Sequence, residues 1–253
     1  MRILVKNISK VYEKDTLDEK LALTGVTFQA LPGDAIGIIG PTGAGKTTLI
    51  NCIAGLINVS SGQITYDNFT VTAKTKLRKF KKIRKDVSIS YQNPDLQLFK
   101  EKVFDDIAMP LTRLKLSEKE INERVLKACE QAHFSKKDLN KNTFNLSSGE
   151  KRKVIIASLL ITEPQVMIFD EPTAYLDPAS VKIFVAAIKE LNKKYNKTIF
   201  IVSHHLDVIE DLTTRVIFLK EGILYAEGTT HEILRRKKLL IGSKMVSENY
   251  YEK

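Results

Sequence analysis

Gly40-Pro41-Thr42-Gly43-Ala44-Gly45-Lys46-Thr47 follows the apolar run Ala35–Ile39 and precedes a stretch in which Leu, Ile and Ala recur at helical spacing. The octet matches the phosphate-binding loop pattern at every required position, with the strand before and helix behind that the pattern needs. Its glycines let backbone N–H groups turn inward around phosphate oxygens. Lys46 is expected to reach the β- and γ-phosphates of a nucleotide, and Thr47 to offer its hydroxyl to Mg²⁺. The helix N-terminus adds positive potential at the same place. Gly40, Pro41, Thr42, Gly43, Ala44, Gly45, Lys46, Thr47 and the adjacent Thr48 are the expected phosphate-binding set. A ligand-free Gly-rich turn is the bland competitor, and the completeness of the pattern argues against it.

Further along, Val166-Met167-Ile168-Phe169-Asp170 is an apolar strand ending in a carboxylate. Asp170 suits a role at Mg²⁺ or its water shell, and Glu171 is placed to accept a proton from, or polarise, an attacking water. An Asp-Glu pair after a strand is weak alone and strong when coupled to the phosphate loop. A second apolar strand, Thr198–Val202, ends in Ser203-His204-His205, which brings an imidazole toward the γ-phosphate and lets Ser203 cap the next helix. These residues specify phosphoryl transfer from a nucleoside triphosphate to water. A kinase needs an acceptor site, and no acceptor motif is visible.

Strands are expected at 2–12 and 22–30 around the polar loop 13–20, at 63–66 and 87–91 on either side of the basic run, and as a hairpin around Gly222. Helices are expected at 117–132, where Ser117 and Glu120 have capping-box spacing, and at 147–162, 178–195, 206–213 and 232–240. Alternating strands and helices predict an α/β protein with a mostly parallel core sheet covered on both faces, to which the terminal hairpins add antiparallel strands. The expected organisation is a core over 1–92 and 163–230, a helical insertion over 93–162, and a short tail over 231–253. The chain has 253 residues, 43% of them hydrophobic and 28% charged, which excludes disordered and fibrous classes. Its most apolar stretch, Val154–Ile161, is far too short for a membrane span, and no secretory signal follows Met1. The formal charge of +10 favours anionic partners without choosing among them. Cys52 and Cys129 suggest neither a disulfide scaffold nor a metal cluster, and Cys52 is expected to be a small buried residue.

Leu146-Ser147-Ser148-Gly149-Glu150 resembles the signature motif of ABC ATPases, whose usual form is Leu-Ser-Gly-Gly-Gln. With Gly40–Thr47, Gln92, Asp170-Glu171, Ala174-Tyr175-Leu176-Asp177 and His204 it completes the family's set in the family's order, over about residues 1–230. The resemblance implies a P-loop NTPase fold of the ABC type, with an antiparallel β-subdomain and an inserted helical subdomain. Tyr12 is then similar to the residue that stacks on adenine. Gln92 becomes the Q-loop glutamine near Mg²⁺, Glu171 the catalytic carboxylate and His204 the switch histidine. Ser147, Ser148 and Gly149 would press on ATP held mainly by a second ATPase chain, with Asp177 at that interface. Two departures stand out: Ser148 replaces a glycine, and Glu150 replaces the glutamine. The Ser148 side chain adds bulk near the phosphate and is expected to weaken this half-site, and the altered signature favours a paralogue over an identical chain as the second ATPase. Tyr175 also replaces a D-loop glycine.

Tyr91-Gln92-Asn93-Pro94-Asp95-Leu96-Gln97-Leu98-Phe99, followed by Val103-Phe104-Asp105-Asp106-Ile107-Ala108, is similar to the ATPases of energy-coupling factor importers and their cobalt and nickel relatives. That resemblance implies a peripheral subunit on the cytoplasmic face of the cell membrane, using ATP and Mg²⁺. Its partners would be a second ATPase, a transmembrane coupling protein and small substrate-binding membrane subunits. Residues 92–108 would line the docking groove, with Leu98 and Phe99 offering apolar contact. The tail is shorter than many in that group. The alternatives are the ATPase of a conventional ABC importer or exporter, a regulatory ATP-binding subunit, or a non-transport ABC protein. Translation factors of this type need two ATPase domains, and DNA-repair relatives need a long coiled coil between Lys46 and Asp170; neither fits this length. The run Lys74–Lys85 carries no acidic residue and is expected to be a solvated face, with anionic lipid or an acidic subunit next in order. Nucleic acid is disfavoured, because only Phe80 interrupts the run with a ring.

Overall fold

A computed structural model describes residues 1–112, 114–247 and 250; the end of the expected tail, 248–249 and 251–253, lies outside the described residues, as does residue 113. Strands β1 (Ile3–Tyr12) and β2 (Lys20–Ala30) form the expected hairpin, and β3 (Ala35–Ile39) leads through residues 40–45 into α1 (Lys46–Ile53). A second hairpin, β4 (Ser61–Tyr66) and β5 (Phe69–Thr72), precedes α2 (Ile83–Asp86) and β6 (Val87–Ser90). Three helices follow: α3 (Val103–Ala108), α4 (Glu118–Gln131) and α5 (Ser148–Leu160). The chain then runs β7 (Val166–Asp170), α6 (Pro178–Lys193), β8 (Thr198–Val202), α7 (Leu206–Leu212), β9 (Arg215–Lys220), β10 (Ile223–Thr229), α8 (Thr230–Leu234) and α9 (Lys237–Gly242).

The core sheet has the order β10-β9-β3-β8-β7-β6 and is parallel except for β10. Every residue of β3, β7 and β8 is buried, as a sheet covered on both faces demands. Alternate side chains serve opposite cores. Ile36, Ile38 and Phe200 pack toward α1 and the antiparallel strands, while Ile39, Phe169 and Ile201 pack toward the helices. Three adjacent strands, β3, β8 and β7, therefore deliver Gly40, Ser203 and Glu171 to one crevice beyond their carboxyl ends.

Two expectations need correction. The N-terminal hairpin does not extend the parallel sheet. With β4 and β5 it makes a separate antiparallel sheet, β2-β1-β4-β5, with one face buried and much of the other exposed. The stretches 63–66 and 87–91, expected as strands on either side of the basic run, belong to different sheets. The former pairs with β1 and the unforeseen β5, whereas β6 pairs with β7. The helix expected at 232–240 is two helices. Thr229 caps α8 through a reciprocal bond with Glu232, and Arg236, with ψ at 71°, breaks the chain direction before α9.

Other local expectations hold. Ser117 and Glu120 form the capping box of α4. Cys52 is buried, and burial pushes its thiol up to about 12. The basic run is not an extended arm. It forms a 3₁₀ turn (Leu77–Lys81) and α2, pinned by buried Phe80 and Ile83, with all eight cations outward.

Candidate active site

The loop between β3 and α1 shapes one wall of a cleft of about 390 Å³, lined also by Tyr12, Thr47, Gln92, Asp170 and Glu171. A side chain is impossible at Gly40, where a Cβ would stand 2.1 Å from the Leu219 carbonyl oxygen. At Gly43, with φ at 80°, a Cβ would meet nothing within 4 Å, so the loop backbone faces open space there. Lys46 Nζ donates to the carbonyls of Gly40 at 2.6 Å and Pro41 at 2.9 Å. Burial lowers the Lys46 pKa, while the charges of Glu171 and then Asp170 pull it back up. The ammonium is thus held at the loop, facing two carboxylates.

Thr47 Oγ1 donates to Asp170 Oδ2 at 3.1 Å, joining the start of α1 to the end of β7. Burial raises the Asp170 pKa and neighbouring Glu171 adds to the rise, whereas the Thr47 bond and Lys46 oppose it. Glu171 follows in a left-handed conformation, φ 46°, that a non-glycine residue adopts only under constraint. The constraint is visible: its N–H donates to the Val202 carbonyl of β8 at 2.8 Å. Glu171 Oε2 lies 2.8 Å from His204 Nδ1 and accepts from the His204 backbone N–H at 3.3 Å. Of the two neighbouring imidazoles, His204 is therefore the one at the carboxylate. Ser203 Oγ accepts from the His205 N–H rather than from the body of α7. Tyr12, at the end of β1, donates from its hydroxyl to Thr48 Oγ1 at 3.4 Å and has Lys10 Nζ 5.1 Å from its ring centre.

The signature residues lie elsewhere. Ser147 caps α5, accepting from the Glu150 N–H at 3.3 Å, while its own N–H and hydroxyl donate to Glu150 Oε2 at 2.9 and 2.8 Å. Those bonds, first of all that from the Ser147 N–H, hold the Glu150 carboxyl below the usual range. Ser147 and Gly149 line a separate cavity with Leu176 and Ser180, and neither they nor Ser148 line the cleft of Lys46. Asp177 caps α6 through the N–H groups of Ala179 and Ser180. The motif that follows β7 thus meets the signature helix of its own chain, away from its own phosphate loop.

Leu98 corrects the expected docking contacts. It is buried with Val103 and Ile107, because Asp106 Oδ1 accepts from the Phe99 and Lys100 N–H groups and Gln97 folds back onto Tyr91. Phe99, at 62% exposure, and Leu96, at 74%, face outward instead.

Two residues escaped the sequence analysis. Lys20 lines the cleft because β-hairpin register sets it opposite Tyr12; hairpin pairing counted back from that tyrosine finds it. Arg152, 2% exposed, donates to Ser90 Oγ and the Tyr91 carbonyl at 3.2 Å each and to the Gln92 carbonyl at 3.0 Å. Only its apolar neighbours from Val154 onward hinted that this face of α5 is buried.

Comparison with known proteins gives a consistent picture. The profile of the ABC transporter family matches residues 23–174. The energy-coupling factor transporter ATP-binding protein EcfA2 of Clostridium tetani is 40% identical over 234 residues, covering 92% of this chain and 81% of its own length. Its namesake in Caldanaerobacter subterraneus subsp. tengcongensis is 39% identical over 240 residues, covering 95% and 83%. Among solved structures, CbiO1 of Clostridium perfringens, a part of the ABC transporter complex CbiONQ, superposes with a TM-score of 0.83 at 31% identity, over 97% of this chain and 95% of that one. The ATP-binding cassette MJ0796, a dimer in a post-hydrolysis state with ADP and Pi, superposes with a TM-score of 0.78 at 28% identity, over 90% and 98%. Among the described residues no helix is long and apolar enough to cross a membrane.

Proposed function

Since this chain belongs to the ABC transporter family of ATP-binding proteins, in its energy-coupling factor group, we propose that it hydrolyses ATP to drive uptake through an energy-coupling factor transporter, as one of two ATPase subunits. It works at the cytoplasmic face of the cell membrane, docked on a transmembrane coupling protein that serves small substrate-binding membrane subunits. The second ATPase is a paralogue. The observation that carries the hydrolytic part is the convergence of Lys46, Thr47, Gln92, Asp170 and Glu171 on one cleft.

In this reading residues 1–92 and 163–230 form the ATP-binding core. Residues 93–162 carry the signature and, at Leu96 and Phe99, the contact with the coupling protein; 231–253 form the tail. Residues 40–48 hold the phosphates and Tyr12 flanks the adenine. Glu171 takes the proton of the attacking water, and His204 holds that carboxylate in place. Mg²⁺ fits the donor set. The Thr47 hydroxyl and Asp170 carboxylate already touch, Gln92 shares their cleft, and all three offer the oxygen ligands a hard cation prefers. Among the described residues no cluster of three His, Cys, Asp or Glu could hold a metal alone; the phosphates of ATP complete the shell. When bound, the ion neutralises charge developing on the phosphoryl oxygens.

The separation of Ser147 and Gly149 from the Lys46 cleft supports a two-chain site, in which each signature helix presents its N-terminus to the partner's nucleotide. Tyr175, 70% exposed and two residues before the Asp177 cap of α6, is available to such a partner. Glu150 works against closure: its ionised carboxylate, offset only in part by the exposed Lys141 Nζ 3.2 Å from Oε1, sits at the helix end that meets the triphosphate and occupies the Ser147 hydroxyl. Glu150→Gln is expected to raise ATP turnover of the assembled complex about fivefold, the worth of removing about 1 kcal/mol of like-charge repulsion. Phosphate release by the purified complex measures it, and an unchanged rate removes the electrostatic account.

The transport reading is tested by recovering tagged chain from its native membranes in mild detergent and identifying what accompanies it. A second ATPase, a shared transmembrane protein and small membrane subunits are the expected companions. A conventional permease alone would discard the energy-coupling factor assignment while keeping an ABC transporter ATPase.

A further inference from the structure

All eight lysines and arginines between Lys74 and Lys85 are exposed, and none makes an ion pair within the described residues. The segment is rigidly mounted. Asn58 Nδ2 donates to the carbonyls of Ala73 at 3.0 Å and Thr75 at 3.1 Å, and Phe80 and Ile83 are 1% and 2% exposed beneath it. Fixing two buried anchors three residues apart in helical turns sends the intervening cations outward. Leu77, 57% exposed, stands among them. The segment leads directly into β6, the edge strand of the core sheet, whose other end opens into Gln92 and the outward-facing Leu96 and Phe99. One short strand of the sheet edge therefore separates the cations from Leu96 and Phe99, the residues assigned above to the membrane coupling protein.

We propose that the Lys74–Lys85 face binds the anionic phospholipid headgroups of the membrane beside the transporter, with Leu77 entering the interfacial layer. Each clustered cation within a Debye length of an anionic leaflet adds a similar free energy of attraction, so their number multiplies the affinity. A solvated face with no partner needs neither a rigid mount nor an exposed leucine at its centre. Single-stranded nucleic acid would require rings to stack on, and the only ring in the run, Phe80, is buried. The membrane setting rests on the proposed transport function, but the lipid contact is measurable on the isolated chain.

The test is co-sedimentation of the full chain with vesicles of phosphatidylcholine alone or mixed with phosphatidylglycerol. Wild-type protein is expected to prefer the anionic vesicles, increasingly so at low salt. Lys79→Gln/Lys82→Gln/Lys85→Gln is expected to weaken that binding at least about tenfold. Lys119→Gln/Lys182→Gln/Lys193→Gln, which removes the same charge elsewhere, is expected to leave most of it. Far-UV circular dichroism and unchanged ATP turnover establish that both variants are folded. Equal losses in the two variants, no preference for anionic vesicles, or binding seen only with an acidic peptide or nucleic acid would overturn the proposal. Membrane partners recovered with the tagged chain would still stand in that case, so a failed lipid contact is distinguishable from a failed transport assignment.

Discussion

Glu171→Gln is expected to lower ATP turnover about 100- to 10,000-fold, the usual contribution of a positioned general base, while nucleotide affinity changes little. The substitution keeps the size of the side chain and its contact with His204 Nδ1, 2.8 Å away, but an amide cannot take a proton from water. Binding is spared because the phosphate contacts are assigned above to the loop, to Lys46 and to Thr47, whose observed hydrogen bonds do not involve Glu171. The variant should therefore hold ATP between two chains and persist as the ATP-bound assembly. Phosphate release together with size-exclusion chromatography in ATP reads both effects. Turnover at the wild-type rate would overturn the role of Glu171 as base.

Arg152→Met is expected to cut kcat about 100-fold while leaving the affinity for ATP within a few-fold, a split that marks a positioning residue. The guanidinium is buried in α5, five residues after the signature serine Ser147, and reaches across to the backbone that carries Gln92. Burial pushes its pKa down to about 10, so it remains a cation at neutral pH, and neutral oxygens are its partners. Two effects on stability oppose each other. Methionine relieves a buried charge, yet it orphans the carbonyls of Tyr91 and Gln92. The net change is then no more than about 2 kcal/mol. The rate suffers more, because Gln92 loses the Arg152 bond that ties its carbonyl to the signature helix. Urea unfolding and steady-state kinetics separate the two. Arg152→Lys, which supplies charge without the planar fork, should recover only part of the rate. A variant with normal kcat would remove the positioning role.

Most of this site was legible because its parts are contiguous. Gly40–Thr47 and the strand ending at Asp170-Glu171 each place their chemistry by local backbone geometry: a strand, a tight turn, a helix start. Spacing along the chain is enough to recognise them. The same holds for the capping box at Ser117, where the donor and acceptor are three residues apart. Lys20, Arg152 and Leu98 were harder, since each depends on a partner far away in the chain or on which way a loop folds. Nothing local distinguishes Arg152, which is buried, from Lys151 and Lys153 on either side of it, which are only half-buried.

The partners of β4 and β6 belong to the same class. Both stretches are short and mix polar with apolar residues, and such segments carry no record of their neighbours, because strand pairing is chosen by competition among edges during packing. Sequence alone determined that this chain is a P-loop ATPase of the ABC type, through motifs whose residues act within one or two turns of backbone. Tertiary structure decided which histidine meets Glu171, that Leu98 is core and Phe99 surface, and that Lys74–Lys85 is a fixed charged face. Each of these depends on free energy gained by burying side chains across distances that spacing does not encode.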